Sequence, residues 1–66
     1  MKIADFTKFE LDYFRENCNF VGVETDVFEM RSQGIPLEEI AEKVNMSVDG
    51  VKKVSRRVTK KIIRVI

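Results

Sequence analysis

The fold is decided by the segment GIPLEEIAEKVNMSVDGVKKVSRRVTKK, residues 34–61. Its first part is acidic and its last part is basic. Pro36 suits the first turn of a helix, Asn45 tolerates a left-handed backbone, and Ser47 is a favourable helix N-cap. The segment therefore predicts two helices joined by a three-residue turn, one starting at Pro36 and the other starting after Ser47.

Apolar residues recur along both helices at the three- and four-residue spacing of a helix rather than alternating as in a strand. They are Leu37, Ile40, Ala41, Val44, Val51, Val54, Val58, Ile62 and Val65. Ala41 is the small residue that a close crossing of two helices needs, and Met46 in the turn is expected to pack between them. This pattern is typical of a helix-turn-helix, whose second helix enters the major groove of DNA.

Two further helices are expected upstream. A first helix is expected over residues 7–17, with Asp5 or Thr7 as its N-cap, and Thr7 and Glu10 have the spacing of a capping box. A second helix is expected over residues 23–33, with Gly34 after its end. The predicted fold is thus an all-α, four-helix helix-turn-helix domain with a long C-terminal recognition helix.

At 66 residues the chain is expected to form a single domain over residues 1–66, with the helix-turn-helix motif at about 36–57. A domain this small has no room for a ligand-sensing unit, so regulation would come from abundance, a partner or dimerisation. The first helix has an unusually wide apolar arc: Phe6, Phe9, Leu11, Tyr13, Phe14 and Cys18. Either this helix lies deep in the core or it also contacts a second subunit. The apolar C-terminus adds to the case for a homodimer: Ile62, Ile63, Val65 and Ile66.

The charge is distributed unevenly along the chain. Residues 1–46 contain five Lys or Arg against ten Asp or Glu, a net charge of −5. Residues 47–66 contain seven Lys or Arg against Asp49 alone, a net charge of +6. A basic C-terminal part indicates a polyanionic partner, although a solvated basic face folded against an acidic half is the simpler alternative.

Composition limits the other classes of function. The chain has no His, and its single cysteine, Cys18, excludes an internal disulfide and suits a reducing cytoplasm. No paired nucleophile and base, metal-ligand cluster or glycine-rich phosphate loop is present, so no enzymatic activity, metal or cofactor is predicted. The N-terminus lacks the layout of a signal peptide, and no apolar run is long enough to span a membrane.

The outer face of the fourth helix contains the residues expected to bind double-stranded DNA: Ser47, Asp49, Gly50, Lys52, Lys53, Arg56, Arg57 and Lys60. Arg56 or Arg57 suits a bidentate contact to guanine, and Lys52 and Lys53 suit phosphates. Ser47 is first a helix cap that could also contact a phosphate. The remaining acid, Asp49, could accept from a cytosine amino group, although its negative charge at the N-terminus of the helix is the better explanation.

Residues 23–62 resemble the helix-turn-helix of the promoter-reading C-terminal region of bacterial sigma factors and of LuxR-type regulators. The matching residues are Glu24, Val27, Phe28, Gly34, Glu39, Ile40, Ala41, Val44, Met46, Ser47, Val51, Lys52, Lys61 and Ile62. Residues 7–20 are similar to those of small prophage-type members that stand alone. The chain departs from the pattern at Ile35-Pro36, where many members have a capping Ser or Thr, and at Gly50, where a Thr often contacts DNA.

The resemblance implies a small cytoplasmic transcriptional regulator that binds DNA. The alternative is a protein-interaction module that docks on RNA polymerase or another partner and has little DNA affinity alone. A third alternative is a role at a membrane surface, because residues 51–66 are basic and amphipathic. The absence of Trp and the use of the apolar stripe by the motif argue against it, so no membrane partner is expected.

Overall fold

A computed structural model of the chain describes residues 2–66. A short 3₁₀ turn, Ile3–Asp5, precedes four α-helices: α1 (Lys8–Asn17), α2 (Val23–Ser32), α3 (Leu37–Val44) and α4 (Val48–Val65). No strand occurs in this range. The predicted all-α fold with four helices and a long C-terminal helix is confirmed. None of the described helices is long and apolar enough to cross a membrane.

The capping box predicted at the start of α1 is present. The backbone N–H of Glu10 donates to Thr7 Oγ1 at 3.2 Å, and the backbone N–H of Thr7 donates to Glu10 Oε1 at 2.8 Å. These two bonds satisfy backbone donors that the first turn of a helix leaves without partners. The end of α1 also depends on neighbouring residues. After the C-cap Cys18, the chain leaves the helix through Asn19, which has a left-handed φ of 53°.

The connection between α3 and α4 consists of residues 45–47. Asn45 adopts the expected left-handed conformation, with φ 58° and ψ 46°. Ser47 caps α4, because its hydroxyl accepts from the backbone N–H of Gly50 at 3.1 Å. The prediction for Pro36 was wrong by one residue: its extended ψ of 154° makes it the N-cap of α3 and not the first helical residue.

Helix α4 packs against all three other helices and forms one wall of the core. Its expected buried stripe is confirmed: Val51, Val54, Val58 and Ile62 are all at most 3% exposed. From α2, Phe28 is completely buried. Its ring lies against that of half-buried Phe20, with centroids 4.6 Å apart, so an aromatic pair joins the loop between α1 and α2 to the core.

The core also includes a residue that the sequence did not indicate. Ile3 in the 3₁₀ turn is 1% exposed, and this turn packs against α2. A three-residue segment is too short to show periodicity, so only the tertiary contact reveals that it closes the core. Met46, by contrast, was expected to pack and is 36% exposed. Its backbone N–H still donates to the carbonyl of Ala41 at 3.0 Å, which closes the end of α3.

Candidate nucleic-acid interface

The outer face of α4 displays the predicted contact residues to solvent. All of them are exposed except Gly50, which is half-buried: Ser47, Asp49, Gly50, Lys52, Lys53, Arg56, Arg57 and Lys60. The opposite face of the helix is the core stripe, so the helical period alone separates apolar from charged residues.

The residues at the start of α4 have roles in the stability of the helix itself. The hydroxyl of Ser47 is used by the cap, and Asp49 lies in the first turn, where a negative charge suits the helix dipole. A Cβ added to Gly50 would lie 3.2 Å from both Met46 Cε and Ser47 Oγ, closer than an ordinary contact. Glycine at this position therefore leaves room for the cap and the turn.

A buried carboxylate holds two of the basic residues of α4. Glu24 in α2 is 5% exposed and accepts from Lys61 Nζ at 2.5 Å and from Arg57 Nε at 3.3 Å. It also accepts from the backbone N–H of Val21 at 3.2 Å. The hydrogen bond from Lys61 is the main reason why the pKa of Glu24 lies below its usual range, although burial opposes the shift.

This ion pair divides the predicted DNA-binding residues into two groups. Arg57 lies on the side of α4 that faces Glu24 and the loop between α1 and α2. The other four basic residues of the predicted DNA-binding set form no ion pair with any carboxylate in the described part of the chain. We call these the basic face of α4: Lys52, Lys53, Arg56 and Lys60. They are free to neutralise an external anion, whereas Arg57 is partly neutralised within the protein.

One edge of the basic face borders a cleft to which α2 and α3 also contribute. Its volume is about 490 Å³, and its lining consists of Arg31, Leu37, Lys52, Ser55, Arg56, Thr59 and Lys60. We call it the basic cleft. Arg31, Ser55 and Thr59 were not identified from the sequence as site residues. Arg31 lies in the acidic part of the chain, and nothing in its local pattern shows that the end of α2 reaches α4.

A second exposed surface is apolar. Phe9 is 85% exposed, Ile66 is 75% exposed and Tyr13 is 46% exposed, and the three border one shallow pocket. We call them the apolar patch. Of the α1 aromatics, Phe14 is in the core. Burial deep in the core, one of the two explanations for the wide apolar arc of α1, is therefore excluded for Phe9 and Tyr13.

No group of three or more His, Cys, Asp or Glu side chains among residues 2–66 is placed to hold a metal ion. Cys18 is buried, and burial raises the pKa of its thiol, which disfavours the reactive thiolate form.

Comparisons with known proteins found no match to a family model, to a curated protein or to a solved structure. The resemblance to sigma-factor and LuxR-type domains therefore stays a prediction from the sequence.

Proposed function

We propose that this protein binds double-stranded DNA, with α4 in the major groove, and acts as a small transcriptional regulator of the cytoplasm. The observation that carries the proposal is the basic face of α4, which is exposed and unpaired within the described residues. A helix that faces phosphates must be basic, and its charge must not be neutralised by the rest of the protein.

The shape of the connection supports the same function. Helix α4 follows α3 after three residues, and it exposes Lys52, Lys53 and Arg56 on its outer face while Val51 and Val54 pack in the core, as a groove-reading helix requires. With 18 residues, α4 is roughly 27 Å long, and its buried stripe runs from Val51 to Ile62. The opposite face of the helix is therefore available to a major groove, which is about 12 Å wide. Arg56 is the candidate for a guanine contact, and Lys52, Lys53 and Lys60 are candidates for phosphates.

The apolar patch supports a homodimer as the DNA-binding form. Phe9 and Ile66 expose apolar surface that a second copy of the chain would bury. Two copies would supply the two half-sites that a specific operator normally needs.

The test of DNA binding is fluorescence anisotropy with a mixed-sequence duplex from low to physiological salt. With four or five phosphate contacts, log K should fall with a slope of roughly −4 against log salt. The double variant K53A/R56A should flatten this slope. The matched control is K8A/K43A, which removes the same charge from exposed residues outside α4 and should leave both the slope and the affinity nearly unchanged.

Weak binding that does not depend on salt, even at low ionic strength, would overturn the proposal. The apolar patch would then favour the second candidate, a protein-interaction module that docks on RNA polymerase or another partner.

Sedimentation velocity tests whether a second copy of the chain occupies the apolar patch. Phe9→Ser should shift a dimer to monomer, while Val21→Ser, at an exposed apolar position outside the patch, should not. A wild-type protein that is monomeric at high concentration would contradict the homodimer.

A further inference from the structure

The basic cleft joins three elements that are far apart in the sequence. Arg31 lies near the end of α2, Leu37 begins α3, and the rest of the lining comes from α4. No carboxylate is part of the lining. A cleft that gathers four cationic side chains without an internal counter-charge has a positive potential and is suited to an external anion.

Arg31 is held in place by a side chain from the opposite wall. Its Nη1 donates to Ser55 Oγ at 2.8 Å, and Ser55 is 6% exposed, so the contact is fixed within the packed part of the molecule. Ser55 lies beside the core stripe of α4. An apolar side chain could be buried at this position equally well, but it would offer no hydrogen-bond acceptor to Arg31. The contact uses one of the five N–H donors of the guanidinium and leaves the others for a ligand.

Arg31 has no carboxylate partner within ion-pair distance among residues 2–66. Asp5 borders a neighbouring pocket that Arg31 also lines, but the two form no ion pair. The other arginine of α1 and α2, Arg15, is by contrast saturated by Asp12 and Glu29 at 2.6 Å and 2.7 Å. Arg31 therefore combines a fixed position with an unsatisfied charge, which is the condition for recognising an oxyanion.

We propose that the basic cleft binds a phosphodiester of the DNA backbone, with Arg31 as a phosphate clamp contributed by α2. The inference rests on the proposed function and extends it to an element outside the helix-turn-helix motif. Arg31 would contact the phosphate directly, Lys52 and Lys60 would neutralise the neighbouring charge, and the hydroxyl of Thr59 would supply a further donor. Ser55 is a positioning residue, because it acts by orienting the guanidinium.

The cleft is open, and three of the four side chains of the basic face line it: Lys52, Arg56 and Lys60. A DNA strand that flanks the groove occupied by α4 would therefore pass directly over it. Contacts to the backbone set the position and orientation of the protein on the duplex without reading sequence. Arg31 should consequently contribute to affinity for every duplex to the same extent.

The test measures anisotropy with two unrelated duplexes across a salt series, for wild type, Arg31→Ala and the charge-matched control Lys43→Ala. Loss of one charge-assisted contact should weaken binding roughly tenfold on both duplexes, and the salt slope should become shallower by about 0.9. Lys43→Ala should change neither quantity. Arg31→Lys should restore the slope but not the full affinity, since it keeps the charge without the planar fork.

Ser55→Ala separates orientation from charge and covers the case in which Arg31→Ala is unstable. It should weaken binding while leaving the slope unchanged, because the guanidinium remains but is no longer fixed. If wild type binds DNA and Arg31→Ala behaves as Lys43→Ala does, the clamp is refuted and the proposed function stands. If wild type itself does not bind duplex DNA at low salt, both proposals fail together.

Discussion

Replacing Glu24 with Ala should destabilise the protein far more than any exposed acid does. The carboxylate is 5% exposed and accepts hydrogen bonds from Lys61, Arg57 and the backbone N–H of Val21. Its removal leaves the Lys61 ammonium, whose side chain is 25% exposed, without its counter-charge beside the core. One residue thus ties the start of α2 to the C-terminal half of α4.

The size of the effect follows from the three contacts. The hydrogen bond from Lys61 is charged and partly buried and should contribute about 1.5–3 kcal/mol. The Val21 N–H contributes about 1 kcal/mol, and Arg57, whose side chain is 59% exposed, contributes about 0–1 kcal/mol after solvent screening. Because these terms overlap, we expect a total loss of about 2–4 kcal/mol, which is a large share of the stability of a domain this small.

The loss should depend on pH in a defined direction. The pKa of Glu24 is lowered in the folded state, chiefly by the hydrogen bond from Lys61. A lowered pKa means that the ionised form stabilises the fold, and this contribution is complete above the unfolded-state pKa of about 4.3. It disappears as the pH falls through the lower pKa of the folded state. The difference between wild type and Glu24→Ala should therefore shrink on acidification.

The assay is urea unfolding followed by far-UV circular dichroism, in a series from neutral pH down to about pH 3. Near neutral pH, thermal melts should show Glu24→Ala lower by roughly 10–25 °C. Glu42→Ala is the matched control, because this exposed carboxylate of α3 forms no ion pair among the described residues. A loss below about 0.5 kcal/mol, or one that stays constant on acidification, would refute the reasoning.

Three further predictions concern Arg57, Ser47 and Asn45. Arg57→Ala should reduce DNA affinity less than Arg56→Ala in the anisotropy assay, because Arg57 is paired with Glu24; equal losses would contradict the division of the basic residues. Ser47→Ala should lower the free energy of unfolding by about 1 kcal/mol through loss of the cap, as measured in urea. Asn45→Val should lower it by about 1–2 kcal/mol because of the left-handed backbone, whereas Asn45→Gly should be nearly neutral; similar values for both would show that φ is not the cause.

Features that depend on neighbours along the chain were predicted correctly from the sequence. The capping box of Thr7, the left-handed Asn45 and the cap at Ser47 each arise within four residues, so their chemistry is legible without a tertiary structure. The one-residue error at Pro36 is of the same local kind. Proline's fixed φ suits both the N-cap and the first helical residue, and only ψ distinguishes the two.

Features that depend on packing could not be predicted in this way. The periodicity of α1 indicates an apolar arc but not its division, in which Phe14 enters the core and Phe9 remains 85% exposed. Ile3 belongs to a segment too short to have a period, yet it is buried against α2. In both cases the outcome depends on where another helix lies, which is not encoded in the spacing of neighbouring residues.

The sequence by itself determined which face of α4 is apolar and which is basic, because a helix sorts its residues by a period that depends only on the backbone. The tertiary structure alone decided what each base can do. Packing α2 against α4 placed Glu24 beside Arg57 and Lys61, which neutralises that side, and placed Arg31 against Ser55 on the other side. Electrostatic interactions act through space, so the division of one basic helix into a paired side and a free side exists only once the helices are packed.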